Sequence, residues 1–229
     1  TMAGRDQLSA EKLLGMDMTL AKEGEKPQIL IYHTHSQEAF ADSVPGDVNT
    51  GIVGVGEHLT QILREQYGYA VLHHTGEYDV ETRDNAYSKA LPAVEQILTE
   101  NPSIQVIVDL HRDEVAEGTR LVTDLQGRPT ARFMFFNGLS RTRKTGDIDY
   151  LQNENQEANL AFSFQMQLKA AEYYPGLTRR IYLKGYRYNM HLRPRTLLVE
   201  LGAQNNTVEE AMNACDPLAH ILDMVLKGE

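Results

Sequence analysis

Ile29-Leu30-Ile31-Tyr32-His33-Thr34-His35-Ser36-Gln37-Glu38 decides how the rest of the chain is read. Three aliphatic residues and a Tyr make a short buried strand. Polarity then switches abruptly, and two His and a carboxylate follow within His33–Glu38. Open α/β sheets bind their ligands in the crevice beyond the carboxyl ends of their strands. The pattern recurs. Ile104-Gln105-Val106-Ile107-Val108-Asp109-Leu110 runs into His111-Arg112-Asp113, and Thr196-Leu197-Leu198-Val199-Glu200-Leu201-Gly202 carries one Glu in an apolar run. Three such strands converging is a constellation; one alone would be an ordinary strand end.

Outward from these strands, the spacing predicts alternating elements. A strand over 28–32 is followed by a helix over 52–67, with Val55, Leu59, Ile62 and Leu63 on one face and Gly68 as its stop. A strand over 69–73, a helix over 81–100 kinked or restarted at Pro92, and the strand over 104–110 complete a β-α-β-α-β series. Residues 119–124 and 131–137 then read as a hairpin about Gln126-Gly127-Arg128-Pro129, and 138–152 as a polar loop. A helix over 153–174, a weak strand over 180–183, a Tyr- and Arg-rich loop over 186–194, the strand over 196–201 and a helix over 206–227 capped by Thr207 finish the chain. The expected fold class is α/β: a mixed, mainly parallel sheet with helices on both faces and a β-hairpin insertion near 115–150. Residues 1–27 are polar and read as an N-terminal tether carrying a short helix near Leu8–Met16; residues 28–229 read as a single catalytic domain.

Composition narrows the function. The 229 residues are 41% hydrophobic and 24% charged, as in ordinary globular chains. Lys and Arg number 22 against 32 Asp and Glu, a net charge of −10. A chain holding nucleic-acid phosphates seldom carries that balance, so no nucleic-acid partner is expected. Cys215 is the only cysteine, which excludes an intrachain disulfide and reads as a core residue. No apolar run approaches the ~18–20 residues of a membrane span. Thr1-Met2-Ala3-Gly4 does not read as a natural start, and an anchoring segment upstream is expected. The composition does not fix the oligomeric state.

The strand ends supply metal-type ligands. Catalytic zinc takes three protein ligands from His, Asp or Glu and leaves a position for water, whose proton a nearby carboxylate accepts. His35, Glu38, His111 and Glu200 can furnish that set. If the loop after the first strand turns helically, His35 and Glu38 converge; if the strand continues, His33 and His35 converge. Other residues have plainer readings. His58 and His220 read as solvated helix faces, Arg141–Lys144 as a solvated loop, and His73, His74 and His191 as candidate cleft residues. Ser36 has no base-and-orienter arrangement that would make it a nucleophile. Gly51, Gly54 and Gly56 lack the spacing and the Lys-Ser/Thr pair of a phosphate loop.

With these residues in hand, the chain resembles stage II sporulation protein P, a peptidoglycan hydrolase family of endospore formers. The likeness rests on Ile31-Tyr32-His33-Thr34-His35-Ser36-Gln37-Glu38, Val108-Asp109-Leu110-His111-Arg112-Asp113, Tyr174-Pro175-Gly176-Leu177, Tyr188-Asn189, and Leu198-Val199-Glu200-Leu201-Gly202 with Asn205-Asn206. These span the chain in order from residue 28. The family is similar in fold to zinc N-acetylmuramoyl-L-alanine amidases. The resemblance implies His35 and His111 as zinc ligands and Glu200 as the catalytic Glu. The amidases take their other carboxylate from the start of the first helix. Asp47 and Glu57 occupy that region without matching, so Glu38 is assigned as third ligand, with Asp47, Glu57 and His33 as alternatives. His33, Arg112, Asp113, Asn189 and His191 are expected to bind substrate. Met190-His191 departs from the family pattern after Asn189.

The resemblance further implies cleavage of the amide between N-acetylmuramic acid and the stem peptide, and also of stem-peptide cross-links, in cell-wall remodelling during engulfment. It implies an extracytoplasmic, membrane-anchored protein at the sporulation septum. The implied partners are peptidoglycan, a lytic transglycosylase and a membrane anchor protein. The other readings of the residues are a non-catalytic glycan-binding or scaffold domain of the same fold and a zinc peptidase acting on soluble peptides.

Overall fold

Alternate residues of the apolar strands go to opposite faces of one sheet, and that alternation sorts the helices. A computed structural model of the chain describes residues 8–22, 24–144 and 146–229. The elements run α1 (Ala10–Leu14), β1 (Ile29–Tyr32), α2 (Ile52–Glu65), β2 (Val71–His73), α3 (Ala86–Glu100), β3 (Val106–Asp113), β4 (Val122–Leu125), β5 (Arg128–Ala131) and β6 (Phe133–Gly138). They continue with β7 (Arg141–Thr142), β8 (Gly146–Asp147), α4 (Gln156–Tyr173), β9 (Tyr182–Lys184), β10 (Arg195–Ala203) and α5 (Val208–Lys227).

The main sheet has the order β2-β1-β3-β10-β6-β9. Strands β2, β1, β3 and β10 are parallel, β6 is antiparallel to β10, and β9 is parallel to β6. Ile29, Ile31, Val106, Val108, Leu110, Leu197, Val199 and Leu201 pack on one face, in a core shared with α2, α4 and α5. Leu30, Tyr32 and Ile107 pack on the other against Ala90, Val94 and Leu98 of α3. The expected mixed, mainly parallel sheet with helices on both faces is what forms. The chain leaves β1 for the edge strand β2, then crosses back over β1 to β3. Right-handed crossovers in opposite directions put α2 and α3 on opposite faces. The reversal opens a crevice at the carboxyl ends of β1 and β3.

Three expectations change. The hairpin pairs Val122–Leu125 with Arg128–Ala131 through Gln126 and Gly127, both with positive φ. The second strand expected over 131–137 is therefore split, and its larger part is β6, in the main sheet beside β10. Phe133, Met134, Phe135 and Phe136 are all buried; an apolar run of that size needs cover on both faces, which only the main sheet provides. The polar loop expected over 138–152 contains the β7–β8 hairpin and a 3-10 turn at Asp149–Leu151. Pro92 lies inside α3, which runs unbroken to Glu100. The Thr207 cap is observed as a capping box with Glu210.

The described part of the segment expected as a tether is docked on the domain. Leu13, Met18 and Leu20 are buried in the core. Leu20 N–H donates to Leu226 O (2.8 Å), and Gln165 Nε2 donates to Leu13 O and Met16 O (2.9 Å each). Leu13→Ala should therefore lower the stability of the whole domain by about 2–4 kcal/mol, as for other buried Leu truncations. Urea denaturation followed by circular dichroism measures this; a free tether would give no change.

Candidate active site

Register brings the site together. On β3, Asp109 and His111 share a face; on β10, Glu200 lies directly beside His111 in the parallel ladder, with Leu198 beside Asp109. Parity puts all three on the face that carries α3. The loop after β1 brings His35 and Glu38 to the same place: the His35 and His111 rings are 5.3 Å apart between centroids, and Glu38 Oε2 lies 3.6 Å from His111 Nδ1. The helical-turn alternative for this loop is the one realised, since His35 and Glu38 converge on His111.

Almost every group here is buried and charged, so each needs a partner. Asp109 accepts hydrogen bonds from Thr34 N–H (2.9 Å) and Thr34 Oγ1 (2.6 Å). Glu38 accepts from the Arg112 backbone N–H (2.8 Å) and from Arg83 (2.9 Å). Burial would raise both carboxyls, but His111 outweighs it: Asp109 is held below the usual range, and Glu38 at about 2, with the Arg112 N–H assisting. Burial opposes charge on His111 as well, yet Asp109 and Glu38 hold its pKa well above the ordinary value. The imidazolium is the positive charge that the two carboxylates share. Glu200 lacks such an answer. Burial is the main cause that raises it, the His111 charge opposes, and Glu38, Asp113 and Asp109 add to the rise, leaving it at about 8.

Three buried polar atoms of this cluster make no hydrogen bond: His35 Nδ1, His111 Nε2 and Glu200 Oε2. His111 Nε2 is 2.8 Å from Asp109 Oδ1 but off the line a hydrogen bond requires, and His35 Nδ1 is 3.5 Å from Asp79 Oδ2. His111 turns Nε2 to Asp109 and Nδ1 to Glu38, and His35 Nδ1 has no partner; with the His111 proton displaced, imidazole nitrogens beside carboxylates are donor chemistry suited to zinc. As they stand, no three His, Cys, Asp or Glu among the described residues are gathered closely enough to hold a metal ion.

The other expected site residues have other occupations. His33 is fully buried; its Nδ1 donates to Leu110 O (2.8 Å), and its Nε2 is 2.9 Å from His73 Nε2, so it offers a substrate nothing. His73 Nδ1 meets Glu57 at 2.9 Å, which takes both away from the cluster. A Cβ at Gly56 would lie 2.5 Å from His33 Nε2, so only Gly lets this ring fit. Asp47 caps the 3-10 turn Val48–Thr50. The Arg112 side chain bonds Ala39 O (3.0 Å) and Asp113 O, tying the Glu38 loop to β3. Asp113 pairs with Arg179. Asn189, in a left-handed conformation (φ 54°), donates to Tyr87 O at 2.9 Å. His191 is half-buried with Nδ1 unpartnered, and burial lowers it to about 4.

Four residues escaped the sequence reading. Asp109 had a signal, a carboxylate in an apolar strand. Asp79, which accepts from Ser36 Oγ (3.0 Å) and faces His35, had none. Neither had Arg83, the partner of Glu38, nor Tyr87, whose ring packs on His35 (5.7 Å) and His111 (6.3 Å). All three lie between β2 and the first turn of α3, away from any strand end.

The mixed α/β fold is similar to that of solved N-acetylmuramoyl-L-alanine amidases. The backbone is similar to the amidase from Clostridium difficile 630 (14% identity, TM-score 0.51, covering 90% of this chain and 97% of that one). It is also similar to the catalytic domain of the CD27L endolysin targeting Clostridia difficile (12%, 0.52, 89% and 98%). At these identities the likeness is one of fold. Residues 4–223 match the family model of stage II sporulation protein P, and the chain belongs to that family. It is 26% identical over 219 residues to the stage II sporulation protein P of Bacillus subtilis (strain 168), covering 86% of this chain and 51% of the relative. The chain thus spans about half the length of the curated relative it matches.

Glu200 gives a pH test. An ordinary Glu loses its proton near 4.5, whereas Glu200 keeps its own to about 8. Between those values the folded metal-free protein holds a proton that the unfolded chain has released. Stability therefore falls as pH rises through that window, at up to about 1.4 kcal/mol per pH unit. Glu200→Gln has no such proton to lose, so its stability advantage over the parent should grow from pH 5 to pH 8.5 in urea titrations with chelator present. An equal difference at both pH values would refute a buried neutral carboxyl.

Proposed function

We propose that this domain is a zinc-dependent peptidoglycan hydrolase that cuts the amide between N-acetylmuramic acid and the stem peptide. The observation that carries the reading is Glu200: a half-buried carboxyl raised to about 8, beside His111 in the ladder, with one buried oxygen unpartnered. His35 and His111 would hold the metal, with Glu38 as the third ligand once it exchanges an Arg83 or Arg112 contact. Zinc bound there supplies a Lewis acid for the amide carbonyl and lowers the pKa of water at the site. Glu200 accepts the proton of the attacking water and delivers it to the leaving amine, a role suited to a base whose pKa is near the working pH. Tyr87 and Asn189 close one side of the cluster and exclude water from it. Membership of a sporulation family and an amidase-like fold agree with this chemistry. We further propose that the domain acts outside the cytoplasm on septal cell wall, with its activity extending to stem-peptide cross-links. A lytic transglycosylase and a membrane anchor protein would be its partners there. Among the described residues no helix is long and apolar enough to cross a membrane.

A purely glycan-binding domain of this fold would have no use for a carboxyl raised in this way with one oxygen unpartnered. Measured zinc should be near one per chain and should fall sharply in His35→Ala and His111→Ala. Glu200→Gln should retain zinc and fold but release stem peptide from purified sacculi about 10²–10⁴-fold more slowly. Full zinc occupancy in both His variants would overturn the site; near-normal release by Glu200→Gln would overturn the general base.

A further inference from the structure

An aromatic wall leads away from the histidine cluster. Tyr87, packed on His35 and His111, meets Tyr188 edge-on at 5.2 Å, and Tyr188 packs on Phe136 at 4.7 Å. Beyond it Tyr186 is 62% exposed and Tyr150 79%. Tyr186 and Tyr188 form a ridge between two open cavities. One, about 400 Å³, is bounded by Tyr87, Asn189 and Ser88. The other, about 620 Å³, is bounded by Tyr150 and Lys184. Large rings are not left in water by accident when the chain around them is held so firmly.

That firmness is specific. Ser140, Tyr188 and Asn189 have φ of 47°, 50° and 54°; they are three of the four non-Gly residues with positive φ among those described, and the fourth is in the Gln126 turn. Positive φ is uncommon for residues other than Gly and Asn, and such conformations cluster where function demands a fixed geometry. The loop presses on the end of β6, where a Cβ at Gly138 would stand 2.5 Å from Tyr186 O. Arg187 bonds Gln152 O (3.2 Å), Asn155 Nδ2 donates to His191 O (2.7 Å), and Leu139 and Arg141 N–H groups bond Lys184 O and Gly185 O. The wall is strained, braced from both sides and still exposes its rings.

We propose that the Tyr150–Tyr186–Tyr188 wall is the subsite that holds the sugar rings of a glycan strand while the attached peptide reaches the His35–His111 cluster. The proposal rests on the peptidoglycan reading above and deepens it. A pyranose has an apolar C–H face and a polar rim, which matches an exposed aromatic face flanked by hydrogen-bonding groups. The chain has no Trp, so Tyr is the amphipathic ring available. The charges along the wall nearly cancel, Lys184 and Arg187 against Asp84, Asp147 and Asp149. A net charge of −10 over the chain repels an acidic stem peptide but is indifferent to a neutral polysaccharide.

The test uses a tetramer of N-acetylglucosamine, which carries no peptide and no scissile amide, with a free stem tetrapeptide in parallel, both titrated calorimetrically into the zinc-loaded chain. The tetramer should bind, and Tyr186→Ala and Tyr150→Ala should each weaken it about tenfold with unchanged circular dichroism, while Tyr186→Phe retains binding. Affinity for the tetrapeptide should not move in these variants. No binding of the tetramer, unchanged affinity in both Ala variants, or loss of tetrapeptide binding instead would overturn the subsite. Because the probe is not hydrolysed, glycan binding without amide cleavage sinks the amidase reading alone. Cleavage of sacculi at parental KM by the Tyr186→Ala, Tyr150→Ala double variant sinks the subsite alone.

Discussion

A carboxylate buried in the middle of a parallel sheet has to be answered, and the answer to Asp109 organises the crevice. Asp109 is almost fully buried and holds Thr34 by both its N–H and its hydroxyl. That fixes the chain as it leaves β1, and so aims His35 and Glu38. It also draws the proton onto His111, two residues along β3 on the same face. Hydrogen bonds to charged groups are worth more than neutral ones and leave a large penalty when one partner is removed. Asp109 thus couples two strand ends that the backbone ladder alone would leave free to drift.

The two histidines of one short motif do different work because of where the strand stops. His33, the first residue past β1, still follows strand parity and turns to the α2 face. There it is sealed by Gly56 and linked through His73 to Glu57 at the surface. Burial, helped by the neighbouring His73, lowers its pKa to about 4, so it is a neutral ring donating from Nδ1 to Leu110 O. That bond tethers β3 one residue before His111. His35 lies beyond the last residue governed by parity and swings to the α3 face. One histidine braces β3 and the other stands beside its His111.

Strands were legible because each is an apolar run with a polar end, and the convergence of β1, β3 and β10 followed from the β-α-β-α-β order. The helical turn of the His35–Glu38 loop was not, since it depends on Thr34 being captured by Asp109, 75 residues away in sequence. The split of the 131–137 run was hidden for a related reason. Local alternation in Thr119–Asp124 suggests a partner for the whole run, but the sheet needed a strand beside β10 and took Phe133–Gly138. Asp79, Arg83 and Tyr87 were invisible because long-range partners, not local patterns, give them meaning. The docking of Leu13, Met18 and Leu20 was masked by the charged residues on either side of them, Glu11 and Lys12 before and Lys22 after.

The crevice sorts its two Glu side chains by environment. Glu38 is buried and Glu200 is half-buried. Glu38 has two cations and a backbone N–H, so it stays ionised down to about 2. Glu200, with Leu198 beside it on the same face of β10, has the His111 charge at one side and three further carboxylates in its field, and stays protonated to about 8. Pairs of carboxyls driven apart in this way are how one site holds both a fixed negative charge and a group that exchanges protons near neutrality. The division agrees with the proposed ligand role for Glu38 and proton-transfer role for Glu200, and it follows from what surrounds each: the Arg112 N–H, Arg83 and His111 around Glu38, and no such hydrogen-bond donor on Glu200 Oε2. A bound cation in the place of the His111 proton would lower Glu200 and leave Glu38 ionised. In the proposed reading a metal would then tune how readily Glu200 takes a proton, while the protein decides which of the two carboxyls carries one near neutrality.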